Sequence, residues 1–312
     1  MEYLIEASSL VLRDLRGDAI HRADWDATIV IVGCGGTGSR LVPDVCRLLL
    51  GRKARLFLVD HDRVEPHNLG RQSFAPDEVG QFKSVALAAR MLREFRRFGL
   101  PIGHAVRPYD PALHGAIFDR SSALNLVIGA VDNAEARRAI AGTLANSRPP
   151  GREVWWLDAG NSRNSGQIVL GNASGAAGLA GAFNRVTGRC RALPAPGLRR
   201  PALLTAPPEP ERRDRLDCAA AVAAGEQGPT INAHLATWAA GYVERLLDGT
   251  CGWAETLIDV DAGTVRCVPA DPLRTAQLVG LPLEEVEPPL VGAEPAPKRR
   301  RRETPSAQDR AA

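Results

Sequence analysis

This chain of 312 residues holds six cysteines but no Cys-x-x-Cys pair. A structural zinc of the paired-thiolate kind therefore has no ligand set. No apolar run approaches the roughly 18–20 residues of a membrane-crossing helix, and the N-terminus lacks a basic-then-apolar leader pattern. These absences set the expectation of a soluble, cytoplasmic protein with reduced thiols and no membrane partner. Internal repeats are also missing. So is a broad excess of charge: the net +3 comes from Lys298-Arg-Arg-Arg-Arg302, and the remainder is slightly acidic. That basic run offers a contact for nucleic acid or an acidic partner, or is simply a solvated tail. No function is built on it.

What remains is 45% hydrophobic, enough for one large α/β domain or one domain with appendages. Apolar segments at 27–32, 55–60, 103–106, 124–130, 154–158 and 167–170 read as strands. Helical patterns cover 38–50, 80–98, 134–146 and about 230–247. Helices followed by strands predict a Rossmann-like, mostly parallel sheet with crossover helices. Two β-rich runs around Asp261-Ala-Gly263 add a C-terminal antiparallel hairpin. The expected division is an N-terminal extension over 1–26, a domain over 27–286 and a disordered basic tail over 287–312. Within the domain, Gly, Ala, Pro and Arg crowd 171–217, which reads as a flexible crossover segment.

The most informative motif is Gly33-Cys-Gly-Gly-Thr-Gly38, between the first strand and the first helix. Gly33, Gly35, Gly36 and Gly38 let the backbone approach a phosphate, while free N–H groups and the helix dipole stabilise its charge. NAD and ATP proteins both use such a turn. Asp60, ending the second strand, suits a ribose hydroxyl and fits either nucleotide. The following stretch, Asp60-His-Asp-Arg-Val-Glu-Pro-His-Asn-Leu-Gly-Arg-Gln72, then Asp77 to Lys83, separates the two. Cleaving the α–β phosphate bond of ATP builds charge on pyrophosphate, which a guanidinium and an ammonium stabilise. Arg71 and Lys83 would supply these, with Asn68 and Gln72 as neutral donors. Asp132 follows the apolar strand 124–131, at the ligand side of a parallel sheet. It would hold Mg²⁺, cap the next helix, or both.

The segments Gly33-Cys-Gly-Gly-Thr-Gly38, Val59-Asp-His-Asp62, Asn68-Leu-Gly-Arg-Gln72, Val79-Gly-Gln-Phe-Lys83 and Val131-Asp-Asn133 together resemble the ThiF/MoeB/HesA family, which includes the catalytic folds of ubiquitin-activating enzymes. The likeness runs from about 27 to 170, and more loosely to 268. It implies adenylation of the C-terminal carboxylate of a small ubiquitin-like or sulfur-carrier protein, using ATP and Mg²⁺ and releasing pyrophosphate. It also implies a homodimer. Carried over, Asp60 binds ribose, with Asp62 beside it in the same motif. Asn68, Arg71 and Lys83 act on the phosphates, and Asp132 holds Mg²⁺. Asp217-Cys-Ala-Ala-Ala and the Thr-Ile-Asn at the start of the next helix are most similar to the ThiF-type protein of PRTRC systems.

Many family members then capture the activated carboxylate as a thioester, and Cys218 is the nucleophile candidate, near Arg212, Arg213 and Arg215. A buried packing role is the competing reading. Cys190 is the second candidate, and Cys34 reads as a small packing residue. The family's zinc-binding pairs are absent. Its N-terminal arginine motif has no clear counterpart among Arg13, Arg16 and Arg22. Adenylation of a small molecule or a tRNA base, and a non-catalytic nucleotide-binding module, stay open as alternatives.

Overall fold

Residues whose apolar side chains alternate between two faces build the centre of the fold. In a computed structural model, which describes residues 25–118, 122–145, 153–205 and 228–289 and the short strands Ile5–Glu6 and Ser9–Leu10, the first long apolar run forms β1, Trp25–Val32. The glycine turn leads into α1, Gly36–Leu48. Then come β2 (Ala54–Val59), α2 (Lys83–Glu94), β3 (Ile102–Ala105), α3 (Pro111–Ile117), β4 (Ser122–Gly129) and α4 (Ala134–Ala145). The described chain continues with β5 (Val154–Asn161), β6 (Ser165–Gly171), α5 (Pro229–Leu247), β7 (Trp253–Asp259), β8 (Thr264–Pro269) and α6 (Pro272–Val279). The eight long strands form one sheet in the order β8-β7-β6-β5-β4-β1-β2-β3.

From β3 to β5 every pairing is parallel. Ile29 and Ile31 of β1 point to a core shared with Leu41 and Val45 of α1, Leu87 and Met91 of α2, and Leu235 and Tyr242 of α5. Val30 and Val32 point the other way, to Leu113 and Ile117 of α3 and Ile140 and Leu144 of α4. Both faces of the sheet are thus covered, as a parallel sheet requires. β1 lies between β2 and β4, so the crossovers leave it in opposite directions. A crevice opens there at the carboxyl ends of the strands.

The fold class read from the sequence holds, with the boundaries sharpened. β6 follows β5 after only three residues, too few for a crossover, so it runs antiparallel and ends the parallel set. β7 pairs with β6 and β8 with β7, both antiparallel, which is the expected hairpin. α1 starts at Gly36, so the glycines form its first turn. α2 starts at Lys83 and not near 80: Gly80 has φ +87°, and Phe82 is extended and bridges to Arg63. The segment read as a flexible crossover is folded over its described part, 171–205. Leu179, Phe183 and Leu193 pack there with Ala254, Ala276 and Val286 in a third apolar cluster. Residues 206–227, including Cys218, and the basic run 298–302 lie outside the described residues. Among the described residues no helix is long and apolar enough to cross a membrane.

A Cβ on Gly38 would lie 1.9 Å from the Gly33 carbonyl oxygen, so backbone must move to admit one. On Gly142, in α4, it would meet nothing within 4 Å. Gly38→Ala is therefore expected to destabilise the fold by about 2–4 kcal/mol, whereas Gly142→Ala stabilises it by about 0.5–1 kcal/mol. Denaturant unfolding of both variants checks the pair.

Candidate active site

The glycine turn is pinned to the tip of β2 by one carboxylate. Asp60 Oδ2 accepts the Cys34 N–H at 2.6 Å, and Oδ1 accepts the Asp62 N–H at 2.8 Å. Burial raises the Asp60 carboxyl, while these two bonds and the nearby Lys83 oppose the rise. Gly33 has φ +91°, and a Cβ there would sit 2.5 Å from the Ala130 carbonyl oxygen. The turn is thus wedged between β2 and the loop after β4. Cys34 is fully buried, and burial holds its thiol well above the ordinary range, as fits a packing residue.

A cleft of ≈ 680 Å³ opens above this turn. Its lining brings together Gly33, Gly35, Gly36, Asp60, Asp62, Asn68, Arg71, Gln72, Lys83 and Asp132. Among the described residues predicted for the site, Gly38 and the second nucleophile candidate Cys190 do not line it; Gly38 serves the close packing behind the turn. Lys83 owes its place to the late start of α2: its N–H donates to the Asp62 carbonyl, and its Nζ lies 3.0 Å from Asp62 Oδ2. Asn68 stands in a short 3₁₀ turn, where its Oδ1 accepts the Glu65 N–H at 3.0 Å. Arg71, half-buried on the next turn, has no ion-pair partner among the described residues. Gln72 has a buried Oε1 with no hydrogen-bond partner among them. Asp132 is exposed in the loop between β4 and α4, where Asn133 caps α4 through the Ala136 N–H.

That donor set suits a magnesium ion. Asp132 offers a carboxylate whose only described partner is the Asn133 amide at 3.3 Å. Such an ion takes one or two carboxylates and completes its shell with phosphate oxygens and water. Cys190 sits differently. Its thiol donates to the Ala192 carbonyl, and burial pushes it up to about 12, so it is not set up as a nucleophile.

Other residues in and behind the cleft were not predicted as site residues. Thr37 and Asn161 line it, and both bond to Asn232 Oδ1, at 3.2 and 3.0 Å. Asn232 comes from α5 and presses on Gly36, where a Cβ would lie 2.3 Å from its Nδ2. Its only sequence cue was its place at the start of that helix. Behind the cleft, Arg137 of α4 pairs with Asp158 of β5 at 2.9 Å. A doubly wound sheet with a glycine turn, a strand-end aspartate and two cations gathered at its switch point defines an α/β protein with a charged cleft at the carboxyl ends of its strands.

The ThiF family model matches residues 14–259, and the chain belongs to the ThiF family. Ubiquitin-like modifier-activating enzyme 5 of Culex quinquefasciatus is 30% identical over 146 residues, 44% of this chain and 34% of that protein. Its counterpart in Drosophila persimilis is 32% identical over 151 residues, 45% of this chain and 36% of that protein. The match therefore spans about a third of these relatives' length. Among solved structures, the microcin C7 biosynthetic enzyme MccB in complex with N-formylated MccA aligns with TM-score 0.51 and 15% identity, covering 78% of this chain and 64% of that chain. PaaA aligns with TM-score 0.52 and 14% identity over the same shares. Both share the fold.

Asp158 is fully buried, and burial pushes its carboxyl from 3.8 up to about 6 against the pull of Arg137. The folded chain then holds this proton more tightly than the unfolded chain, so the group's contribution to stability falls as pH rises between those two values. Above the upper one it stays constant. Denaturant unfolding at pH 4.5 and pH 7 should show wild type losing stability relative to Asp158→Asn as the pH rises. An unchanged difference would contradict the assignment.

Proposed function

We propose that this protein adenylates the C-terminal carboxylate of a small ubiquitin-like or sulfur-carrier protein or a peptide, with ATP as the co-substrate. The observation that carries this reading is the pairing of Arg71, a guanidinium without an ion-pair partner among the described residues, with Lys83 in one cleft above the glycine turn. Membership of the ThiF family and the relatives named as modifier-activating enzymes support it. So does the fold shared with MccB, whose structure is a complex with N-formylated MccA.

In the reaction a carboxylate oxygen attacks the α-phosphorus, a new acyl–phosphate bond forms, and the α–β bridging bond breaks to release pyrophosphate. No proton need move, so positioning and charge stabilisation supply the catalysis. The first turn of α1 would face the phosphates with its free N–H groups. Asp60, with Asp62 beside it, would receive the ribose. Arg71 and Lys83 would take up the charge that develops on pyrophosphate, and Asn68 and Gln72 would donate to its oxygens. Lys83 now rests on Asp62, which keeps its ammonium oriented until phosphate competes for it. Asp132 would hold magnesium, which on binding neutralises phosphate charge. Cys218 would then attack the acyl carbon as a thiolate, forming a thioester and expelling AMP. The similarity of its surroundings to the PRTRC proteins fits a small ubiquitin-like partner.

ATP–pyrophosphate exchange, run with candidate carrier proteins ending in a free carboxylate, is the direct assay. Exchange should require the partner and fall by about 10²–10³ in Arg71→Ala. Unimpaired exchange in that variant would reject the site. A thiol-sensitive adduct with the partner should disappear in Cys218→Ala, and its persistence would remove Cys218 from the mechanism.

A further inference from the structure

Arg137 and Asp158 do not line the cleft, yet they hold the loop that carries Asp132. That loop is fixed at three points. The Ala130 N–H donates to the Val32 carbonyl at 2.8 Å, tying its start to β1. Asn133 Oδ1 caps α4 at its end. Between them, the Val131 carbonyl accepts from Arg137 Nη2 at 2.8 Å. The same guanidinium donates through Nε to Asp158 Oδ1 at 2.9 Å. One planar fork thus spans from β5 to the residue directly before Asp132.

The fork sits in a buried and crowded setting. Asp158 has no exposed surface, and its Oδ2 has no hydrogen-bond partner among the described residues. A Cβ on Gly160 would lie 2.7 Å from Arg137 Nη2, so the glycine leaves room for the guanidinium. A buried ion pair is seldom a net source of stability compared with apolar packing. Its consequence here is geometric: it fixes the direction in which Arg137 presents its second arm.

We propose that Arg137, oriented by Asp158, is a positioning residue that sets where the Asp132 carboxylate meets a nucleotide-bound magnesium ion. This rests on the reading of Asp132 as the metal ligand. Arg137 touches neither nucleotide nor metal in this arrangement and acts only through the Val131 carbonyl. Outer partners of this kind commonly tune metal affinity by about 10–100-fold.

The test is ATP binding by calorimetry, with magnesium and with EDTA, so that no carrier protein is needed. Arg137→Lys keeps a cation for Asp158, so the fold retains its charge pairing, but an ammonium cannot reproduce both arms of the fork. The magnesium-dependent gain in ATP affinity should shrink by about tenfold in this variant, while binding in EDTA stays within about twofold and reports an intact fold. Gly160→Ala, which crowds the same guanidinium, should act in the same direction. In an Asp132→Ala background, Arg137→Lys should have no further effect, because the two act through one carboxylate. An undiminished gain in Arg137→Lys, or additive losses in the double variant, would overturn the proposal. A wild-type chain that gains nothing from magnesium would instead overturn the reading of Asp132, and this inference with it.

Discussion

The site depends on one buried carboxylate. Asp60 directly follows β2 and accepts the Cys34 N–H at 2.6 Å, holding the glycine turn against the sheet. The turn has almost no freedom left, because Gly38 packs on the Gly33 carbonyl and Gly33 packs on that of Ala130. With the turn fixed, α1 can begin at Gly36, and Gly35, Gly36 and Thr37 at its start line the cleft. The same carboxylate receives the Asp62 N–H, which sets the path of the charged loop that follows. Asp62 in turn anchors both the backbone and the ammonium of Lys83.

Charge is then arranged around that fixed floor. Arg71 and Lys83 come from the segment after β2, and Asp132 comes from the loop after β4. Between these two sources lies the switch point of the sheet, where a ligand can touch both. Among the described residues Arg71 is held half-buried without a carboxylate to satisfy it, an arrangement that favours an anionic ligand. Polar groups at the floor of the cleft and behind it link the elements that carry it. The Thr37–Asn232–Asn161 chain joins α1, α5 and β5, and Arg137 with Asp158 joins α4 to β5. These links tie the two halves of the sheet to the turn, so a ligand meets a formed surface.

Much of this was legible because the signals are local. A β-branched run before four glycines specifies a strand, a turn and a helix start, and an aspartate at the next strand end completes the pattern. Arg71, Lys83 and Asp132 follow by chain distance from those marks, and the cleft gathers all of them. What was not legible depends on packing between distant segments. Asn232 meets Asn161 from 71 positions away, only because α5 packs against α1 and the sheet. Arg137 and Asp158 belong to no motif, and only the packing of α4 on β5 brings them together. The order in 171–205 escaped composition because Leu179, Phe183 and Leu193 are few, and they find their partners in α6 and the hairpin. The start of α2 at Lys83 followed from a left-handed glycine at 80, which periodicity does not register.

The most direct measurement of the central claim is a crystal structure of the chain with a non-hydrolysable ATP analogue. The account predicts the triphosphate across the first turn of α1, with ribose at Asp60 and the terminal phosphates between Arg71 and Lys83. A nucleotide bound elsewhere, or one whose phosphates point away from both cations, would contradict it.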